Sequence, residues 1–469
     1  MHTVRTEPAT SRKRGGLVAL CCVLLSLALP AGPAGGETAA IATIATIEGR
    51  TLTLDECIAI GLKSNPAAEI SFQNLRAVEE RIGEAWGTYY PSLKLTTAYT
   101  YTTPQDDRMA ILPDSYDTRF FLRQLLFDAG GTSSLVRSIR HSIRTQEYDL
   151  QRTNLDIVVN VTTSYHEVLK RHDLIEVAQA AFTSADTHLQ QARELYKEGL
   201  APRSDVIKAE VQRSNAQLDI IRAENSHLLA KANLAAAMGL PVTTGFAVVP
   251  VPGKVTEPAA LPPLGAAMAA AYDQRPELKG SRARIDAAEA GVQQARSGFY
   301  PNLSLDASYG WQESSFLPDD KKWSVGVTAS IPLFEQLTAR SRVNQARASL
   351  AGTRAAETQT KRAVELDVEQ AWLALKEALE RSSVTERTLE QAREDMRVSE
   401  GRYREGVGNI LEVNDAQTAL TQARTNHVVA LYDIVNAQAR LDRAIGKGPV
   451  ARSVTARSVT GIPVREESR

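Results

Sequence analysis

The chain carries two copies of one sequence pattern, and this duplication limits its possible folds more than any other feature. Residues 66–99 match residues 276–309 at a constant offset of 210, and farther along the offset becomes 207. The two copies are therefore expected to fold in the same way, with the second slightly shorter. The matching pairs include Pro66 with Pro276, Tyr90 with Tyr300, Leu126 with Leu333, Tyr196 with Tyr403 and Gly239 with Gly446.

The repeats divide the chain into segments. Before them, Arg12, Lys13 and Arg14 precede an apolar run over 17–29, and small residues with helix breakers follow up to Gly36. This layout is typical of a secretory signal peptide, and the alternative is a signal anchor that stays in place. We predict a signal peptide over 1–36, a first repeat over 51–239, a linker over 240–262, a second repeat over 263–446 and a disordered tail over 447–469.

Each copy contains a very long stretch that favours helix. Neither Gly nor Pro occurs over residues 132–198, which corresponds to about 100 Å of helix at 1.5 Å per residue. The equivalent stretch, 337–406, has three glycines and no proline. Shorter stretches without Gly or Pro follow over 204–238 and 409–445. Helices of this length predict a coiled coil or a helical repeat rather than an ordinary globular core.

A stripe of alanine with a period of seven runs along each of the two shorter helices. A sustained period of seven indicates supercoiled helix packing, and a small residue at each contact lets neighbouring helices approach closely. The stripe fits the wall of a helical tube, and a two-helix antiparallel coiled coil without a tube is the alternative. The stripes are Ala209, Ala216, Ala223, Ala230 and Ala237, and Ala416, Ala423, Ala430, Ala437 and Ala444.

Short segments with alternating apolar and polar residues lie before the long helix of each copy. Alternation is clearest over 323–333 and also runs over 93–101 and 303–312, whereas 118–127 is less regular. Such alternation over about ten residues is typical of outer-membrane barrel strands, with the apolar side chains toward lipid. A soluble sheet with one face on a helix is the alternative. The predicted aromatic girdle consists of Tyr99, Tyr101, Tyr309, Trp311 and Trp323.

Four strands per chain predict an oligomer. An open sheet edge is not tolerated in lipid, and small single-chain barrels have at least eight strands. Several copies must therefore contribute strands to one barrel, although the strand count leaves two, three or four copies possible. The predicted fold is an α+β membrane protein in which a long α-helical coiled-coil barrel joins a β-barrel, built from two internal repeats.

Several motifs together resemble the TolC-like outer-membrane efflux protein family. They are Tyr-Pro-x-Leu-x-Leu in both hairpins, Leu126 to Gly131 at the first strand-to-helix corner, and Tyr-x-x-Gly at both helix ends. The resemblance covers about 51–446. It implies a homotrimer with a twelve-stranded barrel in the outer membrane and a helical tunnel across the periplasm. It also implies a periplasmic adaptor protein and an inner-membrane pump of RND or ABC type as partners.

The two turns at the ends of the long helices contain the candidate functional residues. By resemblance, Glu412 and Asp415 constrict the pore at its periplasmic end, and Asp205 matches a further acidic position there. The alternative for Asp205 is a structural role at the start of its helix, where a carboxylate is favoured. Some family members carry a basic residue at the position of Gly408 that could close the gate, and this chain does not. The residues expected to contact the adaptor are Gly199, Leu200, Arg203, Gly406 and Val407.

Composition and motifs argue against an enzyme. There is no nucleophile elbow, phosphate-binding loop or metal-ligand cluster, so we expect no catalytic residue, cofactor or metal site. Without the signal peptide the net charge falls from −1 to about −4, which gives no electrostatic argument for nucleic-acid binding. We expect Cys57 to be a packed helix residue. The histidines expected to be solvated on helices are His166, His172, His188 and His227.

The favoured function is a passive exit duct of a tripartite efflux pump, in the outer membrane and reaching into the periplasm. The same channel could serve a type I protein secretion system, because the pump selects the cargo. A periplasmic coiled-coil adaptor is the third reading, and it requires the four strands to be soluble.

Overall fold

The computed structural model describes residues 49–101, 114–249, 261–313 and 321–448. The predicted signal peptide lies outside these residues, as do the centre of the predicted linker and the predicted tail beyond Gly448. The helices are α1 (Leu54–Ser64), α2 (Pro66–Gly87), α3 (Gly131–Lys197), α4 (Arg203–Ala237), α5 (Leu264–Gln274), α6 (Pro276–Ser297), α7 (Gln336–Arg404) and α8 (Ile410–Ala444). The strands are β1 (Thr51–Leu52), β2 (Ser92–Tyr101), β3 (Asp114–Phe127), β4 (Ala247–Val248), β5 (Asn302–Glu313) and β6 (Lys321–Ser330).

One order of elements occurs in both halves of the described chain. Two helices lead to two strands, and a long helix and a 35-residue helix follow. The long helices α3 and α7 have 67 and 69 residues. The predicted helices over 204–238 and 409–445 are confirmed with bounds that differ by one residue. None of the helices in the four described ranges combines the length and hydropathy that crossing a membrane requires.

Local sequence determines where the elements begin. Thr53 and Glu56 form a reciprocal capping box at the start of α1. Asn65 caps α2, in which Pro66 occupies the first position. At the strand-to-helix corner before α3, the carboxylate of Asp128 accepts from the backbone N–H of Gly130 at 3.1 Å and of Thr132 at 2.5 Å. The equivalent corner before α7 has no side-chain cap.

Four antiparallel strands form one sheet in the order β2-β3-β5-β6. The middle pair, β3 and β5, joins the two hairpins, with a register shift between Leu125 and Phe127. The strands β1 and β4 form a separate parallel pair in which Thr51 lies opposite Ala247 and Leu52 opposite Val248. Part of the predicted linker is therefore an ordered strand that pairs with the start of the first repeat.

The long helix α3 packs against α2, α4, α6 and α8, and α7 packs against α6 and α8. The alanine stripe of α8 is buried at all five positions, and Ala209, Ala216 and Ala230 of α4 are buried as well. Alanine therefore stands where the shorter helices meet their neighbours, as the period of seven predicts.

Two apolar clusters form the centre of the helical part. One contains Leu52, Cys57, Val161 and Leu234 and joins α1, α3 and α4. Burial raises the pKa of the Cys57 thiol to about 12, so the prediction of a packed residue is confirmed. The other cluster joins α5, α7 and α8, and its buried members include Ala271, Val368, Leu375 and Leu441.

A partly buried ionic network connects α3, α5, α7 and α8. Arg275, at the junction of α5 and α6, is 3% exposed and pairs with Asp367 of α7. Arg443 of α8 contacts the same carboxylate at 3.0 Å and that of Asp156 on α3 at 2.8 Å. Burial disfavours the charged guanidinium of Arg443, but the surrounding carboxylates outweigh this effect and raise its pKa. The network therefore joins helices of the first half to helices of the second half through charge-assisted hydrogen bonds.

Candidate functional site

Pairing across the strands places apolar side chains on one side of the sheet. Residues opposite each other in antiparallel strands point to the same side. Tyr309 lies opposite both Phe120 and Trp323, and Phe120 also lies opposite Leu95. In β3, Phe120 and Leu122 belong to this apolar side, which resolves the irregular alternation of that strand. The predicted girdle residues all belong to the same side: Tyr99, Tyr101, Tyr309, Trp311 and Trp323.

The other side of the sheet is mainly polar, with Phe121 and Leu125 of β3 as exceptions, and its polar groups bond to one another. The guanidinium of Arg119 donates to Gln312 at 2.8 Å and lies 2.7 Å from the carboxylate of Asp117. Arg123 lies 3.6 Å from Asp306 on the neighbouring strand. A surface with one apolar and one polar side is what the wall of a water-filled barrel in lipid requires.

The sheet is incomplete in a single chain. Its outer strands, β2 and β6, are exposed along their whole length. Among the described residues neither outer edge pairs with another strand. The sheet can therefore enter lipid only after its edges pair with strands from elsewhere.

A second band of exposed aromatic side chains lies at the opposite end of the strands, and the sequence reading missed it. Tyr90 and Tyr300 are 69% and 59% exposed where the strands begin, and Phe334 is 99% exposed where β6 leads to α7. About ten residues of tilted strand separate this band from the girdle. The separation is therefore roughly 25 Å, which equals the height of a barrel's apolar band. The tyrosine of each Tyr-Pro motif is the sequence feature from which this band could have been predicted.

The two helix ends form similar tips. Gly199 and Gly406 have φ of 73° and 71°, so each long helix ends in a left-handed residue that glycine adopts without strain. Leu200 and Val407 follow them and are each 72% exposed. Arg203 is exposed at the first residue of α4. The predicted adaptor contacts thus lie together on two short exposed turns.

Glu412 is not a free carboxylate. Its backbone N–H donates to the Asn409 side chain at 3.0 Å, so Asn409 caps α8. One carboxylate oxygen of Glu412 lies 3.5 Å from the Arg402 guanidinium across the turn. A side chain at Gly408 would stand 3.1 Å from the Arg402 Cβ, so this turn favours glycine. Asp415, one turn farther along α8, is exposed.

Asp205 belongs to the other tip, at the start of α4. It stands in the first turn of α4 behind Pro202 and accepts from the Ser204 hydroxyl at 3.3 Å, with Lys208 3.8 Å away. The Tyr403 hydroxyl of α7 is buried without a hydrogen-bond partner in the described structure. Burial raises the pKa of Tyr403, and the Asp205 charge raises it further. Asp205 therefore acts on a residue of the other tip.

The expectation of solvated histidines is wrong for His188. This side chain is 4% exposed, with its Nε2 3.1 Å from the Ser184 hydroxyl and 3.5 Å from Glu400 of α7. Ser184 also donates to Gln417 of α8 at 2.6 Å. The expectation did not include α7 and α8, whose side chains cover this part of α3. His166 is also partly covered and hydrogen-bonds Asn436.

A cavity of about 410 Å³ lies between α4 and α8 over α3. Polar side chains from the two flanking helices make up most of its wall, and α3 forms an apolar floor. Lining residues include Leu174, Val177, Gln212, Asn215, Thr421 and Gln422. Within the described ranges no group of three or more His, Cys, Asp or Glu side chains could hold a metal ion.

Comparison with known proteins agrees with this architecture. TolC of Escherichia coli K12 is 24% identical over 397 residues, which cover 82% of this chain and 80% of TolC. The alkaline protease secretion protein AprF of Pseudomonas aeruginosa is 26% identical over 347 residues, covering 70% and 69%. The Campylobacter jejuni CmeC outer membrane channel has the same fold, with a TM-score of 0.74 over 84% of this chain and 86% of that one, at 16% identity.

The sequence model of one family matches both halves of the chain. Described as "Outer membrane efflux protein", it covers residues 62–240 and 268–447. These two matches span most of the described elements, from α1 to the end of α8. The chain therefore belongs to the outer membrane efflux protein family.

Proposed function

We propose that three copies of the chain form the exit duct of a tripartite efflux pump. As a family member, the chain is an outer-membrane duct of efflux or secretion systems. The sheet carries the proposal, because its one apolar side and two unpaired outer edges suit a shared barrel in lipid. The duct is passive and the chain performs no catalytic step. The helices extend from the outer membrane into the periplasm.

Three copies supply twelve strands. Because each chain contains two similar halves, the trimer places six similar units around the wall of the duct. The two similar halves, over 51–239 and 263–446, would each contribute one hairpin and one helix pair. Closure of twelve strands pairs every β2 with a β6 of the next copy. No edge then remains in lipid.

The helices offer matching surfaces for this assembly. An apolar stripe with heptad spacing lies exposed on α4 at Ile207, Val211, Leu218, Ile221 and Leu228. On α7, Leu366 and Leu373 are exposed seven residues apart. Exposed apolar stripes at this spacing are typical of coiled-coil seams. We assign them to contacts between copies.

The tips and the cavity are the proposed periplasmic end of the duct. A periplasmic adaptor would contact Gly199, Leu200, Arg203, Gly406 and Val407, and the cavity over α3 could extend this surface. An inner-membrane pump of RND or ABC type would supply energy and cargo. Asp205, Glu412 and Asp415 would surround the closed mouth.

The second candidate is an outer-membrane component of type I protein secretion, which the name of the relative AprF favours. Both candidates share the duct and differ in cargo. A deletion strain complemented with the chain tests them together. Restored resistance to small toxic compounds supports efflux, whereas restored appearance of a secreted protein supports secretion.

The duct itself is tested with the purified chain. We expect it to sediment with outer membranes, to run as a three-chain particle in detergent and to conduct ions across planar bilayers. A soluble periplasmic monomer without conductance would overturn the duct and favour the adaptor reading.

A further inference from the structure

The first turns of both long helices are rich in arginine and free of acidic residues. No Asp or Glu occurs over 131–146 of α3 or over 336–356 of α7. Arg137, Arg140 and Arg144 are exposed in the first of these segments, and Arg340 and Arg347 in the second. We call these five residues the arginine collar.

The collar lacks partners within the described chain. None of its guanidinium groups forms an ion pair with a carboxylate in the four described ranges. Nearby acids on α6 have other partners, since Asp286 faces His141 and Glu289 faces Arg354. The glutamates of the neighbouring α2, at Glu79, Glu80 and Glu84, do not pair with the collar either.

The spacing of the collar places its charges together. Positions 137, 140 and 144 lie on one face of α3, and 340 and 347 lie on one face of α7 two turns apart. Like charges at this spacing destabilise a helix unless counter-ions neutralise them. On the opposite face of α3, Leu135 and Ile139 are half-buried. The exposed arginine face of α3 is therefore the more open one.

The collar lies next to the proposed membrane boundary. Arg340 and Arg137 follow the helix starts by about 6 and 9 Å at 1.5 Å per residue, and the whole collar lies within about 20 Å of them. The exposed aromatic band of Tyr90, Tyr300 and Phe334 marks the same end of the strands. The side chains of Arg137 and Arg340 reach such an interface from these positions, and the more distant arginines add to the positive potential beside it.

We propose that the arginine collar binds the phosphate groups of anionic phospholipids in the membrane leaflet next to the helical part. This inference rests on the proposed function, because it requires the sheet to stand in a bilayer. Guanidinium groups pair with phosphate through parallel hydrogen bonds, and several of them on one face suit several headgroups. The collar and the aromatic band would together hold the duct at a constant depth.

The test uses the full-length trimer in detergent, titrated with fluorescent phosphatidylglycerol and, as the neutral probe, fluorescent phosphatidylcholine. We expect tighter binding of phosphatidylglycerol, weakening with salt. Arg137→Gln, Arg140→Gln and Arg144→Gln together should weaken it at least about tenfold, at roughly fivefold per charge near a surface. Binding of phosphatidylcholine should not change.

The matched control replaces three exposed arginines in the C-terminal part of α7, far from the collar: Arg387→Gln, Arg393→Gln and Arg404→Gln. It removes the same charge and should leave phosphatidylglycerol binding intact. Lysine at the three collar positions should retain most of the binding, which separates charge from misfolding. If the triple glutamine variant does not assemble, Arg137→Gln alone is used, with an expected loss of about fivefold.

Three results would overturn the proposal. They are equal affinity of the wild-type trimer for the two lipids, full competition by inorganic phosphate, and a glutamine variant that changes ion selectivity but not lipid affinity. The last result would place the arginines in the lumen. Conductance of the wild-type trimer is measured separately, so a failure of the duct itself is recognised as such.

Discussion

At the scale of single residues, the acidic positions of the tips differ in their surroundings. Glu412 has a guanidinium 3.5 Å away and an asparagine cap beside it, whereas Asp415 is exposed. Asp205 is largely covered and influences Tyr403. A ring of carboxylates attracts cations in a pore only as far as its charge is not neutralised. Asp415 is therefore the strongest candidate for a charge that passing ions meet.

The first prediction follows from this difference. Asp415→Asn should reduce cation selectivity and block by divalent cations more than Glu412→Gln does, because Arg402 already offsets the Glu412 charge. Planar-bilayer recordings of the purified channel measure both quantities. Arg402→Gln is the control and should increase cation selectivity. If the double variant with both acids replaced matches the wild type, the gate assignment of these residues is wrong.

At the scale of elements, strand β6 shows how one side of the sheet is distinguished from the other. Val325 and Val327 lie opposite Ala307 and Leu305 on the apolar side, and both are more than 60% exposed in the single chain. Ser324 lies on the other side, with its hydroxyl 2.8 Å from that of Ser308. Together with the aromatic and aliphatic side chains of the same side, these valines form a contiguous apolar surface, which is typical of a surface covered by lipid or protein.

The second prediction concerns these positions. Val327→Arg should cost about 2–4 kcal/mol if the side chain faces lipid near the bilayer midplane. Ser324→Arg should be tolerated, because it would extend into a water-filled lumen. The yield of folded trimer in outer membranes and its thermal dissociation midpoint report the difference. Similar damage from both substitutions would contradict the assignment of the two sides.

At the scale of the whole molecule, assembly has to cover what a single chain leaves open. The edges of the sheet and the stripes on α4 and α7 are the main unsatisfied surfaces of the described chain. Pairing of β2 with β6 and packing of α4 on α7 of the next copy would satisfy them together. Neither contact forms among the described residues of one chain, so the monomer is expected to be unstable in lipid.

The third prediction tests this coupling. Ile221→Glu places a charge in the proposed seam between copies, and an unpaired buried charge costs roughly 3–5 kcal/mol. The trimer should dissociate at lower temperature in detergent, with less chain in the outer membrane. Asn215→Glu, on the face of α4 that lines the cavity, is the control and should leave the trimer intact. An Ile221→Glu trimer as stable as the wild type would remove α4 from the interface.

Sequence alone determined the kind and extent of the elements, because these depend on local chemistry. Long stretches without Pro and with few glycines became α3 and α7, and alternation became β2, β5 and β6. The glycines at positions 199 and 406 marked the helix ends, and the alanine period marked the packed face of α8. The motifs likewise sufficed to recognise the family.

Only the tertiary structure decided which side chains of elements far apart in sequence contact each other. His188 was expected to be solvated on its helix, yet it is buried, with Glu400 of α7 3.5 Å away and Gln417 of α8 bonded to the adjacent Ser184. The side of the sheet to which Phe120 belongs depended on its pairing with β5, and the pairing of Glu412 with Arg402 depended on the shape of the turn. Such contacts depend on how the chain packs in three dimensions, which no local pattern specifies.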